Sequence, residues 1–150
     1  LMEYCIKNFS DLTGKEVYDI CRLRSSVFVL EQKIVCEEEL DGKDEVCRHL
    51  LVKAGDELLA YCRLVPKSHS GYNAATIGRV VVRKENRHQG LAMQMMKQAI
   101  KDIQETWQEK KIILSAQEYI VLLYAKLGFT VISEVYMEAG IAHVKMEYTM

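Results

Sequence analysis

The chain is 150 residues long, with 49% hydrophobic and 27% charged residues, a composition that excludes a disordered chain and suits one globular domain spanning residues 1–150. Its 20 Lys plus Arg against 21 Asp plus Glu give a formal charge of −1. No overall positive field therefore draws it to nucleic acid or to an anionic membrane, and no apolar run reaches the roughly 18 residues of a membrane span. Five cysteines, at 5, 21, 36, 47 and 62, form no Cys-x-x-Cys pair and follow no signal-peptide pattern, which points to free thiols in a reducing, cytoplasmic setting.

Thr13 and Glu16 have the spacing of a capping box, and Val17, Ile20, Cys21, Val27 and Phe28 recur at helical spacing, so a helix is predicted from there to about residue 29. The acidic run Cys36 to Asp44 contains Asp41-Gly42 and reads as a loop with a solvated acidic face, without the ligand spacing of a calcium site. His49 to Lys53 and Leu58 to Val65, separated by Ala54-Gly55-Asp56-Glu57, predict an antiparallel hairpin. Ala75 to Val82 is β-branched and reads as a central strand. From Gly90, a stripe of Leu91, Met95, Ala99, Ile100, Ile103 and Trp107 predicts an amphipathic helix. Lys111 to Ser115 follows as a short buried strand, then a helix from Gln117 to Leu127 closed by Gly128, an alternation that implies parallel pairing. Thr130 to Met137 and Ile141 to Tyr148 make a final hairpin. The order β-α-β-β-β-α-β-α-β-β implies an α/β fold with a mixed sheet and helices on both faces.

The chemistry centres on Arg87-His88-Gln89-Gly90-Leu91-Ala92, between the strand ending at Val82 and the helix starting near Gly90. Unpaired amides and the positive dipole end of a helix form an anion site where side chains are small enough for a phosphate to approach, and Gly90 and Ala92 meet that condition. Arg87 adds a forked, permanent charge suited to a diphosphate.

With this loop, Ser115-Ala116-Gln117 and Tyr124-Ala125-Lys126-Leu127-Gly128-Phe129, the sequence resembles the GNAT superfamily of N-acetyltransferases. Val27-Phe28-Val29-Leu30-Glu31-Gln32, Arg48-His49-Leu50, Ile77-Gly78-Arg79-Val80-Val81-Val82 and Gly140-Ile141-Ala142-His143 make it similar to the ElaA-like branch. The resemblance implies a GNAT-like three-layer α-β-α sandwich with a mostly antiparallel central sheet. It also implies acetyl-CoA as co-substrate, its pantetheine arm along the backbone of Val80, Val81 and Val82, and its pyrophosphate on the amides of His88, Gln89, Gly90, Leu91 and Ala92, beside Arg87. Gln117 stands where many relatives carry an asparagine that touches the cofactor, and His88 stands where glycine is common.

N-acetyl transfer needs a neutral amine, a stabilised oxyanion and a proton for the departing thiolate. The resemblance implies Tyr124 as proton donor; otherwise Tyr124 is a packed helix tyrosine. Glu31 is the candidate base, with a structural ion pair to Arg24 or Arg79 as the alternative. His49 and His143 are lone strand histidines, the usual setting of a structural histidine. No metal-site spacing links the histidines and cysteines. The expected function is acetyl transfer from acetyl-CoA to a primary amine of a small molecule or peptide. The alternative is a non-catalytic acyl-CoA-binding module on the same fold. Acidic residues in the 36–44 loop favour a cationic acceptor, and an exposed edge of the last hairpin offers a homodimer contact.

Overall fold

Thr13 and Glu16 start the first helix through the predicted reciprocal bonds: Glu16 N–H donates to Thr13 Oγ1 (3.1 Å) and Thr13 N–H to Glu16 Oε1 (2.8 Å). In the computed structural model, which describes all residues from Leu1 to Met150, helix α1 covers Gly14–Arg24 and passes directly into a π-helical turn over Ser25–Glu31. The helical run therefore ends near the expected place, but with a wider final turn that projects Glu31 from its end.

Glu16 is nearly buried and also accepts from Lys53 Nζ (2.6 Å) and Lys7 Nζ (3.0 Å). It thereby ties α1 to β1 (Met2–Asn8) and β2 (Arg48–Ala54). Burial pushes its carboxyl up, but the bonds from Lys53, the Thr13 amide and Lys7 outweigh that and hold it at about 2. A carboxyl depressed in the fold contributes stability above its ordinary value of 4.5, and that contribution disappears as pH falls through the folded value. Glu16→Gln should thus cost about 2 kcal/mol at pH 7, scaled from roughly 1.4 kcal/mol per pH unit and reduced for the partly exposed lysines. Urea denaturation at several pH values checks this: the gap between wild type and variant should close steadily from pH 4.5 toward pH 2.

Strands β1, β2, β3 (Glu57–Val65) and β4 (Thr76–Val82) form an antiparallel sheet in that order. A short helix, α2 (Lys67–Ser70), links β3 to β4. The chain then forms α3 (Leu91–Trp107), β5 (Lys111–Gln117), α4 (Val121–Leu127), β6 (Thr130–Val131), β7 (Tyr136–Glu138) and β8 (Ile141–Thr149). β8 lies between β5 and β6 and also pairs with β7, every pair antiparallel. Alternation along the strands divides the core. Leu50, Val52, Ala60, Cys62 and Leu64 face α3 and α4, whereas Leu51, Leu58, Tyr61 and Val81 face α1. The result is the three-layer, mostly antiparallel architecture implied by the resemblance.

Three local expectations change. Parallel pairing between β4 and β5 shrinks to one bridge, Ala75 with Ile112, because the strands diverge beyond it. Gln117 is the last residue of β5 rather than the first of a helix, which begins at Val121 after a 3-10 turn over Glu118–Ile120. The segment predicted as one strand from Thr130 to Met137 is broken into β6 and β7, because Ser133 Oγ accepts from the Lys145 amide in place of a backbone partner. No helix is long and apolar enough to cross a membrane.

Candidate active site

The divergence of β4 and β5 opens a cleft of about 890 Å3. β4 pairs with β3 along one edge, but its other edge has no strand partner beyond Ala75. Arg83 N–H donates to Leu59 O (2.8 Å). By antiparallel alternation Val81 turns its polar groups to β3, and Val80 and Val82 turn theirs to the open edge. A bulge sets this up: Arg79 and Val80 together oppose Cys62, and Arg79 takes a left-handed φ of 51°. Backbone groups facing an unpaired edge suit an extended chain carrying amides, which is the chemistry of a pantetheine arm.

One end of this edge leads to the start of α3. The first intrahelical bond there is from Gln94 N–H to Gly90 O (3.2 Å), and no side chain caps the helix. The amides of Leu91, Ala92 and Met93 thus lack a helical acceptor, and all three residues line the cleft. Gly90 has φ 78° and His88 φ 65°. Two left-handed residues so close fold the loop into a concave turn, and the conformation at 88 explains why glycine suits that position. Among the loop residues assigned to the diphosphate, Arg87, His88, Gly90, Leu91 and Ala92 line the cleft, whereas Gln89 does not.

Arg87 is engaged differently from expectation. Its Nε donates to the Val82 carbonyl (3.0 Å), and its two terminal nitrogens chelate Glu31 (2.7 and 2.8 Å). The guanidinium staples the loop to β4 and to the end of the π-helical turn. The same pairing bears on Glu31, the candidate base. A carboxylate gripped on both oxygens by a guanidinium is held below its ordinary pKa by that hydrogen bond and has little appetite for a further proton. Its partner is neither Arg24 nor Arg79. Those arginines, with Arg63, bind the acidic loop instead.

Arg24, 1% exposed, donates to Glu39 (2.7 Å) and Asp44 (2.6 Å). Arg63 donates to both Asp41 oxygens (2.8 and 2.7 Å) and Arg79 to Glu39 (2.8 Å). Glu39, Asp41 and Asp44 therefore fasten the 36–44 run to α1, β3 and β4 as one wall of the cleft, while Glu37 and Glu38 keep the expected exposure to solvent. Arginines placed in otherwise apolar elements, opposite a run of carboxylates, were the signal in the sequence. Glu37 and Glu38 stand outside this network and line the cleft.

Gln117 faces the cleft and exchanges amide hydrogen bonds with Gln32 (3.0 and 3.3 Å), closing the wall between β5 and the π-helical turn. Tyr124 is buried with its ring against Phe129 (centroids 5.8 Å apart) and borders the cleft. Burial pushes its phenol well above the usual range, so the proton stays on oxygen throughout neutral pH. His49 has no place in the cleft. It is buried under the sheet, accepting from Tyr61 OH at Nδ1 (2.6 Å) and donating from Nε2 to Asp44 O (2.8 Å). No cluster of His, Cys, Asp or Glu has the geometry of a metal site.

A three-layer sandwich split between its fourth and fifth strands, with bare helix amides at one end of the split, defines the GNAT acetyltransferase class. Residues 12–150 match the acetyltransferase (GNAT) domain family, and the chain belongs to that family. Within it the chain falls with the ElaA-like proteins. It is 42% identical over 147 residues to the UPF0039 protein C11D3.02c of Schizosaccharomyces pombe, covering 97% of this chain and 95% of that one. It superposes on Escherichia coli ElaA with a TM-score of 0.91 at 32% identity, covering 99% of each chain. An acyl-CoA N-acyltransferase from Pseudomonas aeruginosa superposes with a TM-score of 0.90 at 38% identity, over 99% of this chain and 100% of that one.

Proposed function

We propose that residues 1–150 act as one acetyltransferase domain that moves the acetyl group of acetyl-CoA to a primary amine by direct attack in a ternary complex. The observation that carries this is the continuity of the cleft. The open edge of β4, at Val80 and the Val82 amide, runs from the free amides of Leu91 to Met93 toward Tyr124 and Gln117. A diphosphate at the α3 amides and an amide-bearing arm along β4 direct a thioester to the Tyr124 end. There the protonated phenol gives a hydrogen to the departing sulfur.

The acceptor in this reading is a cationic amine. Glu37, Glu38 and Glu138 are carboxylates at the cleft outside the arginine network, whereas Glu39, Asp41 and Asp44 are neutralised by arginines. Calorimetry with CoA, followed by thiol release from acetyl-CoA with spermidine, N-α-acetyl-lysine amide and tyramine, tests the assignment. CoA binding with amine-dependent thiol release supports it. CoA binding without release for any amine identifies a binding module instead, and absence of CoA binding refutes both.

Glu31→Gln is expected to leave the pH profile of kcat in place and to tighten CoA two- to five-fold, a scale of about 0.4–1 kcal/mol typical of an exposed charge. The competing anion at Arg87 is removed while its hydrogen bond survives. A large fall in kcat with an altered pH profile would restore Glu31 as the base.

A further inference from the structure

With Glu31 committed to Arg87, the proton of the incoming amine needs another acceptor. The α1 side of the sheet is covered only over the N-terminal strands: the residues packed on α1 come from β2, β3 and β4. On β5, Ile112, Leu114 and Ala116 face α3 and α4, as do Val144 and Met146 of β8. By alternation Ser115 and Gln117 of β5 and His143 and Lys145 of β8 point to the opposite, uncovered face. The register places His143 directly opposite both Gln117 and Tyr136, and Ser115, Gln117, Glu138 and His143 all line the cleft.

His143 is held for one purpose. Its Nδ1 lies 2.7 Å from the Ile141 carbonyl, which can only accept, so Nδ1 carries the hydrogen and Nε2 carries the lone pair. Its ring stacks on Tyr136 (centroids 6.0 Å apart, planes 24° apart). Tyr136 is itself hydrogen-bonded to Ser115. The Nε2 atom lies 3.5 Å from a Glu138 oxygen, a contact that becomes an ion pair once Nε2 takes a proton. The other groups on this face are Tyr72 and Lys145, whose ammonium sits over the Tyr72 and Tyr136 rings at 5.3 and 5.6 Å.

We propose that His143 is the proton acceptor for the amine substrate, oriented by the Ile141 carbonyl and the Tyr136 ring and charge-compensated by Glu138. This rests on the acetyltransferase function proposed above. In the step, Nε2 takes a proton from the amine nitrogen, and the N–H pair becomes the lone pair that forms the C–N bond to the thioester carbon. The C–S pair leaves with sulfur, which Tyr124 protonates. As Tyr124 gives its hydrogen to sulfur it recovers one, through solvent, from the acetylated nitrogen, which still held a surplus proton, and the imidazolium beside Glu138 releases its proton to bulk water, restoring both groups.

His143→Asn is the informative variant, because the asparagine amide reproduces the Nδ1 donor to Ile141 and lacks Nε2. With the amine that the wild type acetylates fastest among spermidine, N-α-acetyl-lysine amide and tyramine, kcat should fall roughly 10²- to 10⁴-fold, the usual worth of a general base. CoA affinity should stay within about two-fold and the acid limb of the kcat/KM profile should vanish. Glu138→Gln, at an exposed site, should lower kcat about three- to ten-fold, with an unchanged melting temperature. A merely structural His143 predicts instead a lower melting temperature with CoA binding and activity lost in proportion at every pH. Wild-type kcat and pH profile in His143→Asn overturn the proposal. Should that variant not fold, unchanged kinetics in Glu138→Gln overturn it. A wild type that binds CoA but acetylates no amine removes the transferase function itself, a result distinct from an active enzyme indifferent to His143.

Discussion

Replacing Gly90 with aspartate should reduce CoA affinity at least about 100-fold while leaving the fold in place. At φ 78° a side chain is strained, but aspartate tolerates the left-handed region better than most residues, at a cost of about 1–2 kcal/mol. A Cβ there meets nothing within 4 Å, so no steric clash adds to that. Aspartate is also a preferred helix N-cap, and its carboxylate reaches the amides that begin α3. It therefore occupies the donors assigned to the diphosphate and sets a like charge against it. Two effects of a few kcal/mol each act on the ligand, while strain and capping nearly cancel in the protein. Calorimetry with CoA, alongside a thermal melt, reads both. Gly90→Ala is the control, since it adds the strain without the charge and should weaken binding far less. If Gly90→Asp binds CoA as the wild type does, the anion site is elsewhere.

Tyr124→Phe should lower kcat by about 100-fold, at the lower end for a general acid because a thiolate is already a tolerable leaving group. The ring stays packed against Phe129 and only the hydroxyl is lost, so stability and the dissociation constant for CoA should be nearly unchanged. A drop in kcat and kcat/KM together identifies an interaction made only in the transition state. Because burial raises the phenol's pKa, Tyr124 stays protonated as pH rises and sets no limb of the profile near neutrality. Wild-type kcat in Tyr124→Phe would make it a packing residue. This variant and His143→Asn act on opposite sides of the reaction, so they separate loss of the acid from loss of the base.

Much of the architecture is legible from local pattern. The capping box at Thr13 and Glu16, the apolar stripe of α3 and the turn at Gly55 each follow from neighbours a few residues apart, where propensity and periodicity act. The loop proposed to hold the diphosphate is legible for the same reason: a small residue, a helix start and a nearby strand are local features, and the unpaired amides follow from helix geometry alone.

The assignments within the cleft lie beyond that reach. Glu31 and Arg87 are 56 positions apart, and their ion pair changes Glu31 from candidate base to anchor. Gln32 and Gln117 meet across 85 positions. The acidic loop reads as solvated until Arg24, Arg63 and Arg79 are brought beneath it. His143 looks like any strand histidine until the sheet topology places it opposite Gln117 and Tyr136, with Glu138 at its free nitrogen.

What the sequence determined alone was the succession of helices and strands and the amide cradle at Gly90, because backbone hydrogen bonding and apolar periodicity are short-range. What only the tertiary structure decided was which charges neutralise one another and which nitrogen keeps its lone pair at the cleft. Electrostatic partners are chosen by proximity in space, and the divergence of β4 from β5 creates that proximity.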